Sequence, residues 1–212
     1  MIKILNKKLK DSSRKWIARQ VNDEFAKQKV VQGFRSRSAF KLLEIEKKFK
    51  IFKNNSHILD LGSSPGGWSQ VLAQKIKKGK ILAVDILPMK KINNVNFILG
   101  NFLNSNIQQK ILGLLNHKVD IIVSDMAANT TGNRSLDSFR MAELNFNTIN
   151  FSKNTLNKGG ILLCKLFMSA EFKEIKKRAN LVFKKVTFYK PAPSRKDSRE
   201  IYMVCKEIIF KD

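Results

Sequence analysis

Short apolar runs alternate with segments of helical periodicity along most of this chain, and the alternation limits the folds that it can adopt. The strand-like runs lie at residues 57–62, 79–86, 95–102, 119–127, 159–167, 184–190 and 200–208. Helical patterns lie at 39–49, 67–78, 104–116, 136–156 and 170–183. This order predicts an α/β, Rossmann-like fold: a mostly parallel seven-stranded sheet with helices on both faces. No helix separates the last two runs, so we expect the final strand to be antiparallel.

The stretch HILDLGSSPGGWSQVL, residues 57–72, reads as a strand, a glycine-rich turn and the start of a helix. In a dinucleotide-binding loop, a glycine in the middle of the turn lets the backbone approach a pyrophosphate. Here Ser64 stands at that position, and Pro65 removes a backbone donor. The loop therefore predicts a ligand that has no pyrophosphate, and it disfavours an NAD-dependent oxidoreductase.

An acidic residue, Asp85, ends the next predicted strand. A carboxylate at this place in such a fold accepts hydrogen bonds from ribose hydroxyls. A nucleoside without phosphates fits both the loop and the carboxylate. We therefore predict S-adenosylmethionine as the cofactor.

The chain is strongly basic, with 41 Lys and Arg against 17 Asp and Glu and a net charge of +24 over 212 residues. Such a charge indicates a polyanionic partner, of which nucleic acid is the commonest. The abundance of Lys, Asn and Ile leaves open a second origin for the charge, the codon bias of an AT-rich genome.

The first 37 residues carry eleven Lys and Arg against three Asp and Glu, with aromatic residues between the basic ones. This mixture favours phosphate contacts together with base stacking. We therefore divide the chain into a basic N-terminal RNA-binding arm, 1–37, and a methyltransferase domain, 38–212. The candidate RNA contacts are Lys15, Arg19, Arg35 and Arg37. The alternative is a solvated basic helix whose aromatic side chains pack on the core.

Four charged residues lie at the ends of predicted elements: Lys41, Asp125, Lys165 and Glu200. Asp125 and Lys165 follow parallel strands, so both are expected at the carboxyl edge of the sheet, where ligands bind. Glu200 begins the antiparallel strand and therefore starts at the same edge. A lysine can act as a base if its pKa is lowered by burial or by nearby positive charge, and carboxylates can then orient it. For each residue alone, an ordinary surface or capping role remains the alternative.

Several segments together resemble a known family. In order they are SSRKWIARQ, RSRSAFKLLEI, LDLGSSPGGWSQ, VDILPM, VSDMA, KLF and SRE. The set resembles the FtsJ/RrmJ family of ribosomal RNA ribose 2′-O-methyltransferases from about residue 12 to the last strand. The resemblance implies methylation of a uridine in large-subunit ribosomal RNA.

The resemblance also implies roles for particular residues. Lys165 would be the general base, and Asp125 and Glu200 would position it. Lys41 would orient the ribose or help to depress the pKa of Lys165. The implied cofactor-binding set is Gly62, Ser63, Pro65, Gly66, Gly67, Trp68, Asp85, Asn101 and Asp125. Asn101 departs from the family pattern, which has Asp after this glycine as a partner of the adenine amino group. We expect Asn101 to bind adenine through its neutral carbonyl.

The remaining sequence features bear on the cellular compartment and on the partners of the protein. The two cysteines, Cys164 and Cys205, form no disulfide framework and no metal cluster, which favours the cytoplasm. No apolar run is long enough to span a bilayer, so no membrane partner is expected. We expect a monomer that binds ribosomal RNA within the large subunit. The open alternatives are a tRNA or mitochondrial rRNA 2′-O-methyltransferase and a non-catalytic ribosome assembly factor.

Overall fold

The computed structural model describes residues 13, 17, 23–116, 118–129, 131–195 and 197–209. The helices are α1 (Glu24–Val31), α2 (Ser38–Phe49), α3 (Gly67–Lys75), α4 (Ser105–Leu115), α5 (Arg134–Thr155) and α6 (Phe172–Asn180). The strands are β1 (Ile58–Leu61), β2 (Ile81–Asp85), β3 (Val95–Leu99), β4 (Val119–Ser124), β5 (Leu156–Phe167), β6 (Phe183–Tyr189) and β7 (Glu200–Ile208).

All seven strands form one sheet in the order β3-β2-β1-β4-β5-β7-β6. Strands β1 to β5 pair in parallel, whereas β7 lies antiparallel between β5 and β6. The predicted fold class and the antiparallel final strand are therefore confirmed. Because β7 runs against its neighbour, its first residue lies level with the end of β5: Glu200 pairs with Phe167.

Helices cover both faces of the sheet because the buried strands carry apolar side chains on both sides. One face packs against α4, α5 and α6 through a core that includes Ile111, Ile149 and Ile175. The other face packs against α2 and α3 through Leu42 and Leu72. The sheet therefore lies between two hydrophobic cores, one beneath each helical layer.

The region before α2 packs on this second core. Asp23 caps the N-terminus of helix α1, and its side chain accepts a hydrogen bond from the Ala26 amide. The Phe40 ring contacts the rings of Phe25 and Phe34, each at a centroid distance of 5.5 Å. Phe34 and Phe40 are buried, and the partly buried Phe25 packs against this second core.

Cys164 and Cys205 lie on the neighbouring strands β5 and β7, where Cys164 pairs with Met203 and Cys205 with Leu162. Both thiols are free and buried. Burial raises the pKa of Cys164 to about 12, so this thiol remains protonated at neutral pH.

Candidate active site

A cleft of about 510 Å³ opens at the carboxyl edge of β1, β2 and β4. Its volume lies within the range of small-molecule sites, roughly 300–1,000 Å³. The residues that line it are Gly62, Ser64, Val84, Asp85, Ile86, Leu87, Gly100, Asn101, Phe102, Leu103, Asp125, Met126, Ala127, Ala128, Asn129, Arg140, Glu143 and Leu144. The charged residues among them are Asp85, Asp125, Arg140 and Glu143.

The turn after β1 brings backbone close to the cleft. Gly62 has φ +76°, and a Cβ there would lie 2.6 Å from the Met126 amide nitrogen. Any side chain at position 62 would therefore push the post-β1 and post-β4 loops apart. Ser64 follows in the same turn, and its amide donates to the Asp85 carboxylate at 2.8 Å.

Asp85 is fixed by backbone amides at the end of β2. One carboxylate oxygen accepts from the Ser64 amide and the other from the Leu87 amide, each at 2.8 Å. A carboxylate oxygen accepts more than one hydrogen bond, so both oxygens retain capacity for a ligand in the cleft. Ile86 and Leu87 follow and expose apolar side chains. The carboxylate beside apolar surface, with no pyrophosphate cradle, fits a nucleoside with a ribose diol.

Asn101 lies in the cleft wall after β3. Its side-chain carbonyl accepts the Leu103 amide at 3.0 Å. The carbonyl has a second lone pair, so it can also accept a hydrogen bond from a ligand. That Asn101 binds adenine stays a prediction.

Two buried ion pairs lie beside the cleft. Lys165 Nζ lies 3.1 Å from Asp125 Oδ1 and also donates to the Asp125 main-chain carbonyl. Lys41 Nζ lies 2.6 Å from Glu200 Oε1. All four side chains are at least 85% buried. The structure thus brings together the four residues that the sequence singled out, although they come from α2, the loop after β4, β5 and β7.

Tyr202 connects the two pairs and was not anticipated from the sequence. It pairs with Lys165 in the β5–β7 register, and its hydroxyl donates to Asp125 Oδ1 at 2.8 Å. Lys41 Nζ lies 5.8 Å from the centre of its ring. Burial, with the nearby Asp125 and Glu200 charges, raises the pKa of Tyr202 well above its usual value, so the hydroxyl remains a donor. The sequence did offer a signal for Tyr202: side chains two residues apart in a strand lie on the same face of the sheet, so Tyr202 shares a face with Glu200.

A further carboxylate, Asp60, is completely buried on β1 beneath the glycine-rich turn. One oxygen accepts the Ser69 hydroxyl at 2.6 Å, and the other has no hydrogen-bond partner among the described residues. Burial raises the pKa of Asp60 to about 7, and the charges of Asp125 and Asp85 add to the increase. The Ser69 hydrogen bond acts in the opposite direction.

Five residues of the predicted cofactor set do not line the cleft: Ser63, Pro65, Gly66, Gly67 and Trp68. The clearest case is Trp68, which is 2% exposed and whose indole N–H donates to the Ser38 carbonyl at 2.9 Å. Its ring packs in the core beside Tyr202. Gly67 contacts the loop before α2, since a Cβ there would lie 2.0 Å from Ser36 Oγ. The first residues of the turn thus face the cleft, whereas its last residues face α2.

The predicted RNA contacts divide into two groups. Lys15 and Arg19 lie outside the described residues. Arg35 and Arg37 instead use their guanidinium groups within the protein. Arg35 donates to the carbonyls of Pro65, Lys90 and Lys91. Arg37 pairs with Asp23 and donates to the Pro193 carbonyl.

Within the described part of the chain, no helix is long and apolar enough to cross a bilayer. The same residues contain no group of three or more His, Cys, Asp or Glu side chains that could hold a metal ion.

Comparisons with known proteins identify the family. The model of the FtsJ-like methyltransferase family matches residues 34–208. A relative from Pelagibacter ubique, named ribosomal RNA large subunit methyltransferase E, is 43% identical over 92% of this chain and 96% of its own length. The protein of that name from Buchnera aphidicola is 44% identical over 95% of this chain and 98% of its own.

Solved structures give the same result. A Plasmodium falciparum protein described as a ribosomal RNA methyltransferase is 33% identical, with a TM-score of 0.75 over 84% of this chain and all of that chain. A Thermotoga maritima SAM-dependent O-methyltransferase, 14% identical over 79% of this chain and 64% of that chain, has a TM-score of 0.54 and shares the fold. A family match across most of the chain, together with relatives above 40% identity along nearly their whole length, shows that this chain belongs to the FtsJ-like methyltransferases.

Proposed function

We propose that this methyltransferase transfers a methyl group from S-adenosylmethionine to the ribose 2′-hydroxyl of a uridine in large-subunit ribosomal RNA. The observation that carries the proposal is the pair of buried Lys–carboxylate contacts, Lys165–Asp125 and Lys41–Glu200, beside a cleft suited to a nucleoside. The names of the relatives support the choice of RNA.

Lys165 is the proposed general base. In its neutral form its amine accepts the proton of the 2′-hydroxyl as the oxygen attacks the methyl carbon. Asp125 restrains this amine from two directions, through its carboxylate and its main-chain carbonyl. Tyr202 restrains the carboxylate in turn. The base is therefore held in one place, which matters because small displacements of reacting groups lower rates strongly.

Lys41 and Glu200 are proposed to position the ribose. The resemblance assigned Glu200 to positioning Lys165, but the ion pair that Glu200 forms is with Lys41, and this contact joins α2 to the start of β7. A Lys41 ammonium also provides a donor for the oxygen that loses its proton.

The cofactor is proposed to lie in the cleft. Asp85 would accept hydrogen bonds from the ribose diol, Asn101 from the adenine amino group, and Gly62 would allow the ligand close to the backbone. S-adenosylmethionine supplies the methyl group on a positively charged sulfur. The residues of the turn that do not line the cleft, Ser63 to Trp68 apart from Ser64, would support this site from behind.

The proposal of RNA as the partner is based on the positive charge of the chain. A net charge of +24 favours binding to a polyanion, and residues 1–37 hold a local excess of cations. We propose that this arm contributes RNA affinity through Lys15 and Arg19, and that the protein acts as a monomer on the large subunit in the cytoplasm.

The decisive experiment is methylation of large-subunit rRNA by purified Lys165→Ala protein. We expect turnover to fall by about 10²–10⁴, because that is the usual contribution of a general base, whereas cofactor affinity is retained. Lys158→Ala is the matched control, since Lys158 is an exposed lysine on the same strand.

Mapping the methylated nucleotide identifies the substrate. Methylation of tRNA, and not of large-subunit rRNA, would refute the choice of RNA. A wild-type protein that binds RNA but transfers no methyl group would support the non-catalytic assembly factor instead.

A further inference from the structure

Arg35 lies where three separate parts of the chain meet. It belongs to the turn between α1 and α2, and its guanidinium reaches the loop after β1 and the loop after β2. Nη1 donates to the carbonyls of Pro65, at 3.3 Å, and Lys90, at 2.6 Å. Nη2 donates to the Lys91 carbonyl at 2.9 Å. One side chain therefore joins both loops that border the cleft.

The turn that carries Arg35 is itself fixed. The Arg35 amide donates to Gln70 Oε1 at 2.7 Å, and Gln70 Nε2 donates back to the Gly33 carbonyl at 3.0 Å. Gln70 lies on α3, the helix that follows the glycine-rich turn. These two hydrogen bonds hold the Arg35 main chain against α3, so the position of its guanidinium is determined by rigid elements.

Close packing adds to the hydrogen bonds. Gly66 has φ +113°, and a Cβ at that position would lie 2.8 Å from Arg35 Nη1. The guanidinium therefore lies directly on the backbone of the glycine-rich turn. The absence of a side chain at Gly66 is what allows this approach.

The same two loops meet again on the cleft side. The Ser64 amide donates to Asp85, and Ser64 Oγ donates to the Pro88 carbonyl at 3.2 Å. Ser64 and Asp85 both line the cleft, whereas Pro65, Lys90 and Lys91 do not. Arg35 thus holds from outside the pair of loops whose inner surfaces present the proposed ribose ligand.

We propose that Arg35 is a positioning residue for cofactor binding and not a phosphate ligand for RNA. The inference rests on the proposed cofactor site. The guanidinium donors of Arg35 are directed at main-chain carbonyls, and a planar guanidinium can span three such acceptors in a way that an ammonium cannot. Loss of Arg35 leaves these carbonyls without a donor and frees the loop of Lys90 and Lys91 to move away from the glycine-rich turn. The Asp85 carboxylate then loses its fixed orientation.

The test compares Arg35→Ala, Arg35→Lys and Lys91→Ala with the wild type. Lys91→Ala is the matched control, because it removes one exposed cation from the same loop but leaves the carbonyl that Arg35 contacts. We expect KM for S-adenosylmethionine to rise about tenfold in Arg35→Ala, the effect of losing about one charged hydrogen bond, with a smaller change in kcat. Arg35→Lys keeps the charge and should rescue little of the loss.

Measurements of RNA binding distinguish a role of Arg35 in cofactor positioning from a role as a phosphate ligand for RNA. A residue that neutralises a phosphate contributes roughly 0.7–0.9 to the slope of log affinity against log salt. We expect the slope for Arg35→Ala to equal that of the wild type. An unchanged KM for the cofactor, or a shallower salt slope with full rescue by Arg35→Lys, would overturn the proposal.

Two further measurements guard the interpretation. Should Arg35→Ala not fold, Arg35→Met retains an aliphatic stem over Gly66 but has no donor, and a KM for the cofactor equal to that of the wild type would likewise overturn the proposal. Direct titration of the wild type with S-adenosylmethionine tests the cofactor site itself, so a failure of the proposed function is distinguished from a failure of this inference.

Discussion

Replacing Asp60 by Asn should change how the stability of this protein depends on pH. Burial raises the pKa of Asp60 to about 7 in the folded protein, against an unfolded value of 3.8. Between these values the folded state retains a proton that the unfolded state releases. Stability from this group is therefore fully present below the unfolded pKa and is lost as the pH rises through the folded pKa.

The size of the effect follows from the two pKa values. From pH 5 to pH 8, the Asp60 contribution to the free energy of unfolding falls by roughly 2 to 3 kcal/mol, since each pKa unit corresponds to about 1.4 kcal/mol. An Asn at this position does not titrate. The variant should consequently lack this part of the pH dependence, whatever constant change in stability the amide introduces.

Urea denaturation of both proteins at several pH values between 5 and 8 measures the difference. Subtracting the two curves removes the contribution of every other titrating group. Ser69→Ala is an informative companion, because the Ser69 hydroxyl is the hydrogen-bond donor to Asp60. It should destabilise the protein more at pH 8 than at pH 5. Parallel curves for the wild type and Asp60→Asn would show that the buried carboxyl does not titrate in this range.

Three further changes test the site. Tyr202→Phe removes the hydrogen bond to Asp125, and we expect kcat to fall about tenfold. Hydrogen bonds to charged groups contribute roughly 1.5–3 kcal/mol, and only part of this energy acts in the transition state. An unaltered kcat would refute this positioning role. Asn101→Asp should tighten S-adenosylmethionine binding by about 1 kcal/mol in calorimetry, since a charged acceptor is stronger, and equal affinities for Asn, Asp and Ala at this position would remove it from the site. Neutralising Lys15 and Arg19 should weaken RNA binding and flatten its salt dependence at constant cofactor affinity, whereas an unchanged slope would attribute the charge to composition alone.

The sequence was sufficient for the architecture and for the convergence of the catalytic candidates. Parallel strands buried on both faces have a recognisable apolar pattern, and the carboxyl ends of such strands lie at one edge whatever the side chains are. The absence of a helix before the last strand then placed Glu200 at that edge. These inferences need only chain order and strand direction.

Side-chain partners were harder to predict. Arg35 and Arg37 have the residue type that binds phosphate, but residue type does not reveal whether main-chain carbonyls or an acid such as Asp23 lie within reach. Trp68 follows the glycine-rich turn directly, yet the first turn of α3 directs its ring into the core. Both outcomes depend on how α2 packs on α3, which no local pattern encodes.

The arrangement of the four charged side chains beside the cleft has a consequence for charge balance. Two cations and two anions are paired one to one, so the group is neutral when all four are ionised. With Lys165 neutral and ready to accept a proton, the group carries one negative charge, which offsets the positive sulfur of a bound methyl donor. Transfer of the methyl group and the proton together removes both charges. The reaction we propose would thus begin and end electroneutral, and no uncompensated charge would arise among side chains that are largely buried.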